Sequence, residues 1–165
     1  MAQNAKKYLA EALIILMKDK PLDEIRVSEL VKRAGVSRMS YYRYFSDKTE
    51  ILEYYMHYLF ERFTLWEEQK GRAPYGSRRH IRESLEYFKE YSDFAMCIYK
   101  SGNDGIMLRA VNRYMQLQPN FEKRSPEKKF ALYYYAGAIY NCYIQWVLEG
   151  FKTPVDKLTN ILRRN

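Results

Sequence analysis

The chain has 165 residues, enough for one large domain or for a small one joined to a medium one. Hydrophobic residues make up 47% of it, which argues against disorder, and 28 Lys/Arg against 20 Asp/Glu leave a net charge of +8, which favours an acidic partner such as nucleic acid. Two unclustered cysteines (Cys97, Cys142) and two histidines (His57, His80) argue against a disulfide framework or a metal site, and with no leader segment and no apolar run near the ~20 residues of a membrane span the expectation is a soluble cytoplasmic protein.

Apolar spacings of three and four predict helices throughout, and no segment alternates as a strand does. From about Asn4 to Lys18, the stripe Tyr8, Leu9, Ala12, Leu13, Leu16 and Met17 predicts an amphipathic helix, which Pro21 ends. A short second helix carries Val27, Leu30, Val31 and Ala34 on one face, and Gly35 stops it. Ser37 then caps a third. Val36 and Tyr41 stand at the spacing of a hydrophobic staple, so Tyr41 is expected inside, with Phe45 one turn further on. Asp47 caps a long fourth helix, "KTEILEYYMHYLFERFTLWEEQ", whose stripe runs from Ile51 to Phe63. The stretch "KGRAPYGSRR" reads as a loop. Helices follow from about Arg78 to Glu90, Ser92 to Lys100 and Ile106 to Gln116. Pro126 suits the first turn of a long helix that ends near Glu149, and Thr153 with Pro154 opens a last short one. The predicted architecture is all-α: a three-helix helix-turn-helix unit in residues 1–46, then a helical bundle in residues 47–165, with the fourth helix shared between them.

The segment "SRMSYYRYF" (Ser37–Phe45) carries the functional signal. With Tyr41 and Phe45 inside, Arg38 and Tyr42 share the opposite side, as do Met39 and Arg43, and Ser40 and Tyr44. Aromatic rings interleaved with arginine on an outer face suit a phosphate backbone, because Tyr hydroxyls and guanidinium groups both donate to phosphate. Lys48, in the first turn of a helix, opposes the helix dipole and is expected to face a phosphate instead.

The stretch "VSELVKRAGVSRMSYYRYFSDKTEIL" resembles the DNA-binding motif of TetR/AcrR-type transcriptional regulators. Val27, Leu30, Ala34, Gly35, Val36, Ser37, Ser40, Tyr41, Tyr42, Tyr44, Phe45, Lys48 and Leu52 match it in order without gaps, and its aromatic-rich form is similar to the short DhaS-like branch. The resemblance covers roughly residues 8–56. It implies phosphate contacts by Tyr42, Tyr44 and Lys48, and places Ser37, Arg38, Ser40 and Arg43 in or beside the major groove. Arg38 and Arg43 are the candidates for reading guanine. Two positions depart from the family pattern. Met39 stands where a small residue is usual and could touch a thymine methyl or simply cover phosphate-side surface. Arg26 replaces the usual Thr cap, which costs roughly 1 kcal/mol and leaves Arg26 as a further candidate phosphate contact.

Beyond the motif the readings stay open. "YYYAGAIYNCY" (Tyr133–Tyr143) is either plain core or a homodimer interface, or both, with Tyr133, Gly137, Tyr140, Asn141, Ile144 and, in the last helix, Leu158 as candidate contacts. The resemblance implies that the last two long helices form a four-helix bundle across a two-fold axis. Tyr55, Phe63, Tyr87, Tyr91, Tyr134 and Tyr135 either line an effector pocket or fill the core. His57 and His80 are expected at the surface or partly buried, without a site. The expected function is a repressor that binds a palindromic double-stranded DNA operator as a homodimer, with a small-molecule effector and no cofactor. An accessory DNA-binding protein and a regulator controlled by a protein partner are the alternatives. The sequence displays no carboxylate–His or Cys–His pairing that would suggest an enzyme.

Overall fold

A computed structural model describes residues 2–164, with side chains from Asn4 to Arg163. Among the described residues the chain is all-helical, without strands. The order is α1 (Ala2–Asp19), a short 3-10 turn (Leu22–Glu24), α2 (Val27–Ala34), α3 (Arg38–Tyr44), α4 (Lys48–Gln69), α5 (Arg78–Lys89), α6 (Ser92–Lys100), α7 (Gly105–Gln116), α8 (Pro126–Leu148) and α9 (Val155–Arg164). The 3-10 turn is the element that the sequence reading lacks.

Local chemistry sets the helix ends around the reading unit. Gly35 takes the left-handed conformation (φ 66°), and its N–H donates to the carbonyls of Val31 and Lys32. Ser37 Oγ accepts from the Ser40 N–H at 3.0 Å and so caps α3. Asp47 accepts from the Glu50 N–H at 2.9 Å, while the Glu50 carboxylate reaches back to the Ser46 N–H at 2.7 Å. Arg26, at the start of α2, makes no side-chain cap, as a donor-only residue must.

One apolar core runs through most of the molecule. Leu9, Leu13, Leu30, Tyr41, Phe45, Ile51, Leu52 and Leu59 join Phe94, Ile98, Ile106, Met107 and Ile144 in a single cluster. α1 is its hub and packs on α2, α3, α4 and α6. α4 continues inward and packs on α7, which lies against α8. A smaller cluster joins α5 to α9 through Ile81, Leu85, Leu158 and Leu162, with Trp146 from α8. The packing is therefore continuous across residue 46, with α4 the shared beam. No helix is long and apolar enough to cross a membrane among the described residues.

Candidate nucleic-acid interface and bundle cavity

α3 lies at the surface with its two faces separated as the staple spacing demands. Tyr41 is buried against the core, and so is Phe45 just beyond the helix. Tyr42 is 64% exposed and Met39 74% exposed on the opposite side. The Tyr42 ring stands edge-on to Tyr41, with centroids 5.0 Å apart, so the buried ring braces the exposed one. Arg38, Arg43 and Arg26 are exposed, and no ion pair engages them among the described residues. Lys32 and Arg33, at the end of α2, are exposed beside them in sequence. The outer surface of α2–α3 is thus cationic and aromatic, with the guanidinium groups of Arg38, Arg43 and Arg26 free of ion pairs among the described residues.

Three residues sit differently from the sequence expectation. Ser40 is tied down, its hydroxyl 3.0 Å from Ser37 Oγ, so it supports the cap. Tyr44 is half-buried against the core, and the Lys6 ammonium lies over its ring at 5.6 Å. Lys48 is turned inward. Its ammonium donates to the carbonyls of Leu22 (2.5 Å) and Ile25 (2.8 Å), in and just after the 3-10 turn. The Leu22 carbonyl also accepts from the Ile25 N–H at 3.3 Å, whereas no backbone N–H donates to the Ile25 carbonyl among the described residues, so the ammonium meets that need from the first turn of α4.

The bundle holds a cavity of about 70 Å³, almost wholly apolar, between α4, α5, α6, α7 and α8. Of the residues expected to line a pocket, Phe63 and Tyr91 do so. Tyr55 is spent on edge-to-face packing with Phe94, and Tyr87 stacks behind Phe63. Tyr135 packs on Tyr75, outside the cavity wall. Tyr134 points to solvent at 70% exposure, because α8 is apolar on several sides and its sequence does not say which one turns inward.

The candidate interface residues divide in a similar way. Gly137 and Asn141 lie on the outer side of α8, and Tyr133 is exposed at its edge. Tyr140 instead lines the cavity, with its hydroxyl on Asp104 at 3.3 Å. Ile144 and Leu158 are buried within the monomer, the first in the main core and the second against Ile81 and Trp146. The outer faces carry residues that the sequence reading did not single out: Phe130 (73% exposed) and Leu148 on α8, and Ile161 on α9. Phe130, Tyr134, Gly137, Asn141 and Leu148 follow helical spacing, so a stripe was present in the sequence, superimposed on the inward one.

His80 lies deeper than the surface or partly buried position expected of it. It is buried, 2% exposed, and lines the cavity from α5. Its Nε2 lies 3.2 Å from the Tyr114 hydroxyl, which donates to Glu67 Oε2 at 2.7 Å. The fold thus creates the carboxylate–His pairing that the sequence does not display, with Glu67 Oε1 3.6 Å from Nε2. Burial lowers the imidazole pKa to about 4, so the ring is neutral at physiological pH. Burial also pushes the Glu67 carboxyl up, against the Tyr114 hydroxyl and Arg72, which pull it down. The signal was visible in spacing: Glu67 continues the Leu59–Phe63 stripe, and His80 and Ser84 flank the inward Ile81 and Leu85.

Residues 9–55 match the family model of bacterial regulatory proteins, tetR family, and residues 78–165 match that of a transcriptional regulator C-terminal region. The chain belongs to the TetR family. This TetR-family regulator is 40% identical over 53 residues to the uncharacterized HTH-type transcriptional regulator YxbF of Bacillus subtilis (strain 168). That stretch is 32% of the chain and only 14% of the relative. Its fold is similar along nearly its whole length to a TetR transcriptional regulator from Rhodococcus sp. RHA1 (TM-score 0.69, 19% identity, 99% and 94% of the two chains covered). It is also similar to the dihydroxyacetone kinase operon activator DhaS (0.66, 20%, 97% and 92%). A third likeness is to the fatty acid degradation regulator FadR from Bacillus halodurans (0.66, 16%, 97% and 93%). At these identities the likeness is one of fold.

Proposed function

We propose that this TetR-family regulator represses transcription by binding a palindromic operator as a homodimer, with one α3 in the major groove of each half-site. Residues 1–46 are the reading head in this proposal, and residues 47–165 pair the subunits and sense an effector. The observation that carries the reading is the outer face of α3, where Arg38, Met39, Tyr42 and Arg43 stand exposed above a buried Tyr41. Arg38 and Arg43 read base edges, Met39 covers a thymine methyl, and Tyr42 and Arg26 hold phosphates. Ser37, Ser40 and Tyr44 keep α3 in place at the groove edge. Lys48 holds the 3-10 turn to α4 and is not assigned a phosphate. Support for pairing comes from the Phe130–Tyr134–Leu148 stripe and Ile161, apolar groups that a second copy would cover. Repression follows from occlusion, since a bound dimer covers the DNA beneath it. The apolar cavity favours a small-molecule effector over control by a protein partner. Such an effector acts only by binding the two head spacings with different affinity.

The test is a selection of genomic fragments with purified protein at near-physiological salt. Repeated recovery of one palindrome bound by two chains is the expected result. Fragments with no shared sequence would sink the operator reading and leave non-specific DNA binding in its place.

A further inference from the structure

One side chain that lines the bundle cavity, His80, carries a buried polar atom that the protein does not satisfy. His80 and Tyr114 line the cavity, whose wall carries no Asp, Glu, Lys or Arg among the described residues. The Tyr114 hydroxyl donates its hydrogen bond to Glu67, so its oxygen is the acceptor offered to the imidazole. The single proton of neutral His80 therefore sits on Nε2. His80 Nδ1 is left as a bare acceptor, buried and without a partner. Behind the cavity wall two further buried hydroxyls lack partners, those of Tyr75, whose ring packs on His80, and of Tyr135, which packs on Tyr75. Buried polar atoms are nearly always paired in native proteins, so an orphaned acceptor on a side chain that lines an apolar cavity marks a place for a ligand's polar atom.

We infer that the cavity takes an uncharged apolar molecule of up to about one ring bearing a hydroxyl, which donates to His80 Nδ1. This rests on the effector reading above and adds the chemical class. The charge follows from the lining: an ionised carboxylate is acceptor-only and cannot satisfy Nδ1, and it would enter an apolar space with no cation in its wall. The size follows from the volume. About 70 Å³ is roughly half of the ~150 Å³ cavity that holds benzene in another protein, so a ring requires the wall to yield. Met56, Met107 and Met115 line it, and unbranched thioether side chains re-pack readily.

Three probes separate the outcomes on the full-length protein: phenol, toluene (a similar shape without a donor) and benzoate (a charged acceptor). Titration calorimetry and melting temperature report binding, and anisotropy on the selected operator duplex reports release. Phenol is expected to bind one per chain, at least ~10-fold tighter than toluene or benzoate, because a site with a buried polar group rejects an analogue that leaves it unpaired. His80→Phe keeps an aromatic ring but removes the acceptor, and should bring phenol down to the level of toluene. Met107→Trp fills the space and should abolish binding of both while operator binding persists. Benzoate binding as tightly as phenol would overturn the uncharged class and leave ligand sensing intact. If no probe bound, and Met107→Trp melted at or above the native temperature, the cavity would be a packing void and the inference would fall. Phenol that binds without changing operator affinity would uphold the site and overturn the effector reading.

Discussion

Lys48 and Tyr42 both looked like phosphate ligands in sequence, and the fold gives them different surroundings. The Lys48 ammonium is engaged by the carbonyls of Leu22 and Ile25, whereas the Tyr42 ring stands in solvent. Lys48→Met should therefore cost ~1–3 kcal/mol in urea denaturation, the penalty for stranding the Ile25 carbonyl, and leave the salt dependence of DNA binding unchanged. A salt slope reduced by about one unit would restore the phosphate role. Tyr42→Phe should do the opposite, weakening every DNA sequence alike at native stability. Arg43→Ala should instead relax sequence preference by ~1–3 kcal/mol at one base position in competition binding. His80 belongs to this scale as well. Its folded pKa of about 4 lies below the ordinary 6.5, so the unfolded chain binds more protons between those values. Stability should thus fall as pH drops from 6.5 through 4, by on the order of 3 kcal/mol. Glu67, with its raised pKa, opposes part of that fall. Denaturation across this range should show the acid limb in the native protein and a flatter one in His80→Phe.

Among the elements, the reading unit was the most legible, and the reason is local. Gly35, Ser37 and Asp47 each mark a boundary by a contact reaching only a few residues along the chain. α4 runs from Lys48 to Gln69, the span that its sequence displays between cap and loop. The 3-10 turn at Leu22–Glu24 was not legible, because three residues are too few for any period to appear. α8 was legible in length and not in orientation, since Tyr133, Tyr134 and Tyr135 successively meet solvent edge, open solvent and protein. Caps offer a direct check. α2 begins at Val27 behind Arg26, an N-cap residue that makes no side-chain cap, so Arg26→Asp should stabilise the chain by ~1 kcal/mol in thermal or chemical unfolding. The same change should weaken DNA binding if the guanidinium holds a phosphate. An unchanged affinity would remove Arg26 from the contact set.

For the whole molecule the decisive surface is the outer side of α8 and α9. Phe130 and Tyr134 are more than two-thirds exposed on a helix whose other side is core. Tyr134→Asp should leave the monomer folded and shift sedimentation from two chains to one. Operator affinity should fall with it, because two half-sites are then no longer held by one particle. A Tyr134→Asp dimer of native affinity would move the pairing face elsewhere. The core is continuous from α1 to α8, and α4 carries both cavity-lining residues in its middle and the Lys48 anchor at its start.

The sequence by itself determined the all-helical class, the helix-turn-helix unit and the outward face of α3, because caps, a glycine stop and a staple act over a few neighbouring residues. It could not decide what meets what over longer separations. Glu67, His80 and Tyr114 come from three helices and form one buried relay only when α4, α5 and α7 pack together. Tyr134, Ile144 and Leu158 all read as apolar interface or pocket residues, and only packing sent the first outward and the other two inside. Hydrophobicity says that a side chain seeks cover. Which neighbour supplies the cover is a property of the assembled bundle.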